Sequence, residues 1–517
     1  MLKIAILIGL YSYAILALGL LKQLFFTQVL LVTIFFVLLL IIALFVDIKD
    51  SFNKLKNYNF SRYELFVVVL LGLLVFVSFI GALGPELAFD SLWYHLTIPK
   101  IFIQKNEIFY IQGNLFYYSL MPKLVEMLYT SSLILSNEIA AKIIHFLFGI
   151  FTSIVLFKLC RLYLKRFESL LVVILFYSNM VVMWLSITAF SDLGRAFFEI
   201  FSFYFFLIFA KKRKTKYLFA SSLLLGLAIA TKVLAIGSLF IFVLLLLIAS
   251  NRTMKQKIKS SLLYTATALT IPLPWFVISY LYTKNPVFPL FSQLGLRNFT
   301  LDLASPLTFI KTFFGIFLFA PDPVNPMYII LFPLVLIAGK KLFPKYKILI
   351  IYSVLSYLIW YITSQSGGTR FLTAYLPAYS LLVFLGIVAV KNKMITKISI
   401  LTIIFISVIS IMYRGLANAK YIPVLLGLES KEKFLLNNLN FSFGDFYDEN
   451  GSIKKIVGNN TVLMKNTHNL FYVDFPFTID EWKENYVYEL YQNEKMPKSN
   501  GSLIYKNLKT RTYLYKL

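Results

Sequence analysis

The stretch Pro85-Glu86-Leu87-Ala88-Phe89-Asp90-Ser91-Leu92-Trp93-Tyr94-His95-Leu96-Thr97-Ile98-Pro99-Lys100 follows directly on the apolar segment Leu65 to Leu83. That segment is long enough to cross a bilayer, which takes roughly 20 residues. The stretch sets two acids, a histidine, Trp93 and Tyr94 together at the mouth of the crossing. An isolated charge at helix-centre depth costs roughly 2.5–3.5 kcal/mol on insertion scales, so ionisable groups gathered at a span end are expected to face a polar cavity or one another. This reading sets the class: a helical membrane protein with chemistry at one membrane surface.

Composition outside the stretch agrees. Hydrophobic residues make up 59% and charged residues 14%, with a mean hydropathy of +0.77, whereas a soluble domain is about one quarter charged. The formal charge of +26 would suggest nucleic acid in a soluble chain. Here the lysines and arginines fall in clusters between apolar runs, such as Lys211-Lys212-Arg213-Lys214, so the basicity is read as topology, with the clusters inside, and no nucleic-acid partner is expected. Cys160 is the only cysteine, so no intramolecular disulfide can form.

Threading outward from Leu65–Leu83 predicts about thirteen spans. Met1 to Leu21 reads as a retained first span with a cytoplasmic N-terminus, because no small-residue cleavage site follows it. The polar linker Asp47 to Glu64 lies inside, and the first large loop, 85–137, lies outside. Within that loop Leu115 to Leu135 is interrupted by Pro122, Lys123 and Glu126 and is expected in the interface plane, with Tyr117, Tyr118 and Tyr129 at headgroup depth. Later spans return the chain to basic inner clusters. The Asn251-Arg252-Thr253 glycosylation pattern falls on the inner side and is disregarded. From Arg414 the tail is polar and its acids nearly balance its bases. Ser430–Asn438 reads as a helix, and Thr461–Met464, Leu470–Val473 and Thr512–Tyr515 as strands. The expected architecture is an all-α polytopic membrane domain, 1–413, with a small extracytoplasmic α/β domain, 414–517.

In this threading Asp90, His95, Asp192, Lys232, the Asn285-Pro286 segment and Arg370 all reach the outer face. Asp90 could merely cap a helix, but an apolar-rimmed carboxylate beside Tyr94 and His95 also suits a general base for a hydroxyl acceptor, because partial desolvation raises its proton affinity. His95 could carry a second proton or hold a substrate. Asp192 sits in a tight turn between spans, where two carboxylates on one cavity can divide acceptor activation and sugar orientation; Arg195, one turn on, is its expected partner. Lys232 ends an apolar span, either snorkelling or contacting phosphate. Arg370 follows a Gly-Gly turn, and its planar fork suits phosphate. Tyr94, Asn285 and Tyr375 complete the candidate substrate-binding set with Lys232 and Arg370.

The sequence lacks a G-x-x-x-x-G-K-[ST] loop and an H-E-x-x-H pair, and its three histidines cannot make a histidine-rich metal centre. A divalent ion on Asp90 and Asp192 is the one metal arrangement left, and no cofactor is expected. The motif 90–100, with Ser191-Asp192-Leu193, Ala230-Thr231-Lys232, Asn285-Pro286-Val287-Phe288-Pro289, Arg370-Phe371-Leu372 up to Pro377, and the tail opening at Leu426, resembles the GT-C superfamily of membrane glycosyltransferases. Its relatives include the family 39 dolichyl-phosphate-mannose protein mannosyltransferases and the aminoarabinose transferases of lipid A. The resemblance implies an inverting transfer from a polyprenyl-phosphate sugar to a lipid, glycan or protein hydroxyl, with the first-loop Asp90 as base, at the plasma (inner) membrane. It departs from the mannosyltransferases in one place: Phe89, not an acid, precedes Asp90. The rival readings are a transporter or flippase of lipid-linked glycans, whose midplane path the acid-poor inner span halves do not supply, and a polymerase or ligase, which would lean on a later loop.

Overall fold

A computed structural model describes residues 1–56, 59–248, 253–292, 306–318, 324–363, 365–482, 484–493 and 495–517. Asn251 and Arg252 of the glycosylation pattern, and two residues of the linker Asp47 to Glu64, lie outside the described residues. In chain order the helices of the membrane domain are α1 (Leu2–Leu20), α2 (Phe26–Lys56), α3 (Arg62–Leu83), α4 (Thr97–Lys105), α5 (Leu124–Leu135), α6 (Glu138–Cys160), α7 (Arg166–Tyr177), α8 (Met180–Leu185), α9 (Asp192–Lys212), α10 (Thr215–Thr231), α11 (Ile236–Ile248), α12 (Met254–Thr270), α13 (Leu273–Thr283), α14 (Pro306–Leu318), α15 (Met327–Ile337), α16 (Gly339–Ile362), α17 (Leu376–Val390) and α18 (Lys393–Ala419). Among the described residues seven of these, α1, α2, α3, α6, α9, α16 and α18, are long and apolar enough to cross a membrane. There are eight if α12 and α13, bent by 67° at their junction, form one span. Pro272 and Pro274 sit at that bend, where missing N–H donors interrupt the helical ladder. The predicted span Leu170–Ala189 is likewise divided, into α7 and α8, where Asn179 turns its amide onto the carbonyls of Leu175 and Phe176.

The core is built on α9. Of its apolar window 78% is buried, against 6% for α2, which faces outward. The reason is in the sequence: Phe197, Phe198, Phe201, Phe203, Phe206 and Phe209 are buried around its circumference, and a helix apolar on all sides belongs inside. It packs on α6 and α10, with the ring of Phe197 5.9 Å from that of Phe148.

Helix α5 corrects one expectation. Leu124 to Ser132 are buried without a break, and α5 packs against α1 and α6, so this segment is a core element and not a surface one. Tyr129, expected at headgroup depth, is fully buried and donates to the Phe190 carbonyl.

The first loop leaves α3 over a buried cation. Lys142, fully buried in α6, donates to the carbonyls of Gly81, Gly84 and Pro85 at 3.0, 2.6 and 3.1 Å. It thereby satisfies the open C-terminal end of α3. At Gly84 a Cβ would lie 2.0 Å from the Tyr421 ring, so only glycine lets the tail pack there. Lys142→Met strands those carbonyls and is expected to lower stability by roughly 1–3 kcal/mol, read as a lower Tm of the purified protein.

Helix α18 runs on through Arg414 to Ala419, so the expected boundary at 413/414 falls inside one continuous helix. After a short turn, α19 (Ile422–Leu425), come α20 (Lys431–Asn438), capped by Ser430 as expected, and α21 (Ser452–Val457). A five-stranded sheet follows, made of β1 (Val462–Lys465), β2 (Phe477–Thr478), β3 (Tyr488–Gln492), β4 (Ser502–Asn507) and β5 (Thr512–Lys516) in the order β2-β1-β3-β5-β4. It is parallel across β2-β1-β3 and antiparallel across β3-β5-β4. Leu470–Val473, expected as a strand, is a docking turn instead: Lys100 donates to the Phe471 carbonyl at 2.6 Å and to that of Val473, and the Tyr472 hydroxyl donates to the Glu86 carbonyl at 2.9 Å. Its backbone is spent on the first loop and not on a ladder.

Candidate active site

Glu86 organises the first loop. One carboxylate oxygen accepts from the N–H groups of Leu87 and Ala88, each at 2.8 Å, and the other accepts from Ala189 at 2.7 Å, which ties the loop to the turn before α9. The capping function considered for Asp90 is thus filled by Glu86, and the Asp90 side chain makes no cap. The next turn, Ser91–His95, is a π-turn, a widened geometry frequent at functional sites. Asp90 accepts from the Tyr94 hydroxyl at 3.1 Å and from Arg370 at 2.6 Å.

The turn preceding α9 is held by His145. Its Nδ1 lies 2.8 and 2.9 Å from the carbonyls of Leu185 and Thr188, and its Nε2 accepts from the Leu193 N–H at 3.0 Å. The ring is a neutral staple that leaves Asp192 at the first position of α9. Lys232 stands in the extended break after α10 and donates to Asp192 at 2.7 Å, its ammonium 4.5 Å from the centre of the Phe371 ring. It is paired inward and does not snorkel. Arg370 lies on a 3-10 turn shaped by Gly368, whose φ of +51° favours glycine and whose carbonyl accepts from Trp360. The Arg370 Nε is 3.8 Å from Asp192, and its plane rests 4.8 Å from the centre of the Phe190 ring. Four charged groups from four distant segments therefore meet, with Arg370 bridging both carboxylates.

The electrostatics follow. Burial pushes the Asp90 carboxyl up, but Arg370 and the Tyr94 hydroxyl bring it below its ordinary value. Burial pulls Lys232 down to about 8, with Asp192 opposing in part. Burial also lowers Arg370, yet Asp90 and Asp192 more than offset this and hold it charged. His95 is lowered, chiefly by burial, and its Nδ1 is 2.8 Å from Glu126.

These groups open on a cavity of about 260 Å³ lined by Asp90, Tyr94, His95, Lys123, Glu126, Lys232 and Arg370, with Tyr117 and Tyr118 on its wall. Tyr118 stacks on Tyr94 at 4.0 Å. Three sequence candidates are not among its lining residues: Asp192, which stands behind Lys232 and Arg370, Asn285 and Tyr375. Asn285 bonds within its own loop, accepting from the Val287 N–H at 3.1 Å and donating to the Leu290 carbonyl at 2.6 Å; it shapes the segment whose Pro289 and Leu290 reach the cavity. Tyr375 accepts from Arg195 at 2.9 Å in a buried cluster with Glu199 and Ser238. Arg195 thus pairs with Glu199 at 3.1 Å, not with Asp192 as expected. Glu86, Lys123, Glu126 and His145 were not singled out from sequence; for Lys123 and Glu126 the available signal was their interruption of an apolar run. Among the described residues no three His, Cys, Asp or Glu side chains gather as a metal would require.

Residues 123–279 match the family model described as dolichyl-phosphate-mannose-protein mannosyltransferase. No curated protein sequence matches the chain. The apo crystal structure of ArnT from Cupriavidus metallidurans is similar in fold, with a TM-score of 0.61 at 12% identity over 88% of this chain and 98% of that one. The same protein bound to undecaprenyl phosphate matches with a TM-score of 0.54 at 12% identity, over 87% and 97%. By that shared fold and that matched segment, the chain resembles the GT-C superfamily of membrane glycosyltransferases, with likeness to both its protein mannosyltransferases and ArnT.

Proposed function

We propose that the chain transfers a sugar from a polyprenyl-phosphate donor to an acceptor hydroxyl, with inversion, at the outer face of the plasma (inner) membrane. The observation that carries this reading is the bridge of Arg370 across Asp90 and Asp192, with Lys232 beside it, on one cavity. The thread would cross about thirteen times, with the N-terminus inside and the tail domain roofing the cavity from outside. The undecaprenyl phosphate bound by ArnT is a ligand of the expected donor class.

In this reading the donor phosphate competes with the carboxylates for Arg370 and Lys232. As Arg370 turns to the phosphate, Asp90 loses the neighbour that depresses its proton affinity, and burial then makes it a better base. Asp90 takes the proton of the acceptor hydroxyl as that oxygen attacks the anomeric carbon. The bond from carbon to phosphate oxygen breaks, and the leaving polyprenyl phosphate carries its electron pair and added negative charge onto Arg370 and Lys232. Preorganised cations aimed at developing charge are a large source of rate enhancement. Asp192 holds Lys232 and Arg370 in place, His95 borders the sugar, and Tyr94 orients Asp90. These two cations supply the positive charge that a divalent ion would, so no cofactor is invoked. The acceptor is a lipid, glycan or protein hydroxyl.

The test is transfer of radiolabel from a lipid-phosphate sugar by the purified protein; absence of transfer and of donor hydrolysis with every acceptor class would refute it. A pH dependence follows. Lys232 titrates near 8 in the free site, so donor affinity should be flat below that value and fall as pH rises through it. Lys232→Arg should move the fall beyond pH 9, as read by donor Kd against pH.

A further inference from the structure

The cavity has a second polar end that the proton-transfer scheme does not use. His95, Glu126 and Lys123 line it, their side chains are almost wholly buried, and they come from the π-turn and from the start of α5. His95 and Glu126 fix one another through Nδ1 and Oε1 at 2.8 Å, and the remaining atom of each, His95 Nε2 and Glu126 Oε2, is buried without a hydrogen-bond partner. A buried polar atom left unpaired costs about 1–3 kcal/mol, more when charged, and such atoms in a ligand cavity are candidates to be satisfied by the ligand. With the Nδ1 proton on the carboxylate, Nε2 is an acceptor. The Lys123 ammonium has no hydrogen-bond partner among the described residues and interacts electrostatically with Glu126. The set is two acceptors and one cationic donor, which matches adjacent hydroxyls: each acceptor takes one O–H, and the ammonium donates to a hydroxyl oxygen.

We propose that His95, Glu126 and Lys123 form the donor-sugar subsite and select a neutral, hydroxyl-bearing sugar over an amino sugar. The proposal rests on the donor reading above. Each acid at the cavity is already engaged: Asp90 by Arg370, Asp192 by Lys232 and Arg370, and Glu126 by His95 and Lys123. No unshared carboxylate is left for a sugar carrying its own ammonium. A cationic substituent at Glu126 would have to share the carboxylate with Lys123, and like charge in a desolvated site discriminates strongly.

The experiment measures Kd on the full-length protein in nanodiscs for three probes: polyprenyl phosphate, polyprenyl-phosphate mannose and polyprenyl-phosphate aminoarabinose. The mannosyl lipid should bind about 10- to 100-fold more tightly than the bare phosphate, and the aminoarabinosyl lipid no more tightly than it. Glu126→Gln should lose the mannosyl gain while keeping bare-phosphate binding, which also shows that the variant is folded. Lys123→Gln should narrow the gap between the two sugars. Equal or tighter binding of the aminoarabinosyl lipid by the wild type, or an undiminished mannosyl gain in Glu126→Gln, overturns the subsite. Failure of the bare phosphate to bind would instead refute the donor reading, and the subsite with it.

Discussion

Replacing Asp90 with asparagine is expected to lower the transfer rate by about 10²–10⁴-fold, the usual contribution of a positioned general base. The effect should fall on kcat and leave KM nearly unchanged. Asparagine keeps the size of the side chain and an oxygen that accepts from Tyr94 and Arg370, so the contacts at 3.1 and 2.6 Å survive in outline while the basic site is lost. Steady-state kinetics with labelled donor separate the two parameters. A kcat within about threefold of wild type would remove Asp90 as the base.

Replacing Arg370 with lysine is expected to cost about 10²–10³-fold in kcat/KM, because the loss combines two terms. A single ammonium cannot reproduce the fork that sends Nη1 to Asp90 and Nε toward Asp192, and a point charge does not follow the spreading charge of a leaving phosphate as a guanidinium does. Arg370→Ala should do more: it leaves two buried carboxylates facing only Lys232. Breaking a buried pair from one side typically costs about 3–5 kcal/mol, so this variant should also lose thermal stability. Lysine is the informative variant, since it keeps the charge and isolates geometry. A kcat/KM for Arg370→Lys close to wild type would contradict a bridging function.

The convergence of Asp90 and Arg370, 280 positions apart, was legible because lipid makes charge placement expensive. Once basic clusters such as Lys211–Lys214 are assigned to one side, every charged group at the opposite span ends is expected to share what polar space there is. What was not legible depends on packing between elements. Glu126 and Lys123 read as interruptions of an interfacial segment because nothing local shows that α1 and α6 enclose α5. Arg195 lies one turn from Asp192 on the same helix, yet Glu199, one turn on in the other direction, won it. Tyr375 follows Arg370 by five residues and turns away from the cavity to Arg195. In the tail, Leu470–Val473 has strand composition, but its carbonyls serve Lys100 on the first loop, a contact with no trace in local pattern. Helix breaks inside spans were not legible, as at Asn179 and Pro272, since hydropathy does not see an amide turned onto its own backbone.

The most direct measurement places cysteines at 90 and 370, one at a time and together, in a Cys160→Ala background, and treats intact cells with a small membrane-impermeant thiosulfonate reagent and the purified double variant with a short bifunctional thiol cross-linker. Both single cysteines should react from outside without permeabilisation, polyprenyl phosphate should protect them, and the pair should cross-link within one chain. Reaction of either position only after permeabilisation, or a double variant that both reagents modify but that never cross-links, would contradict a shared outer cavity.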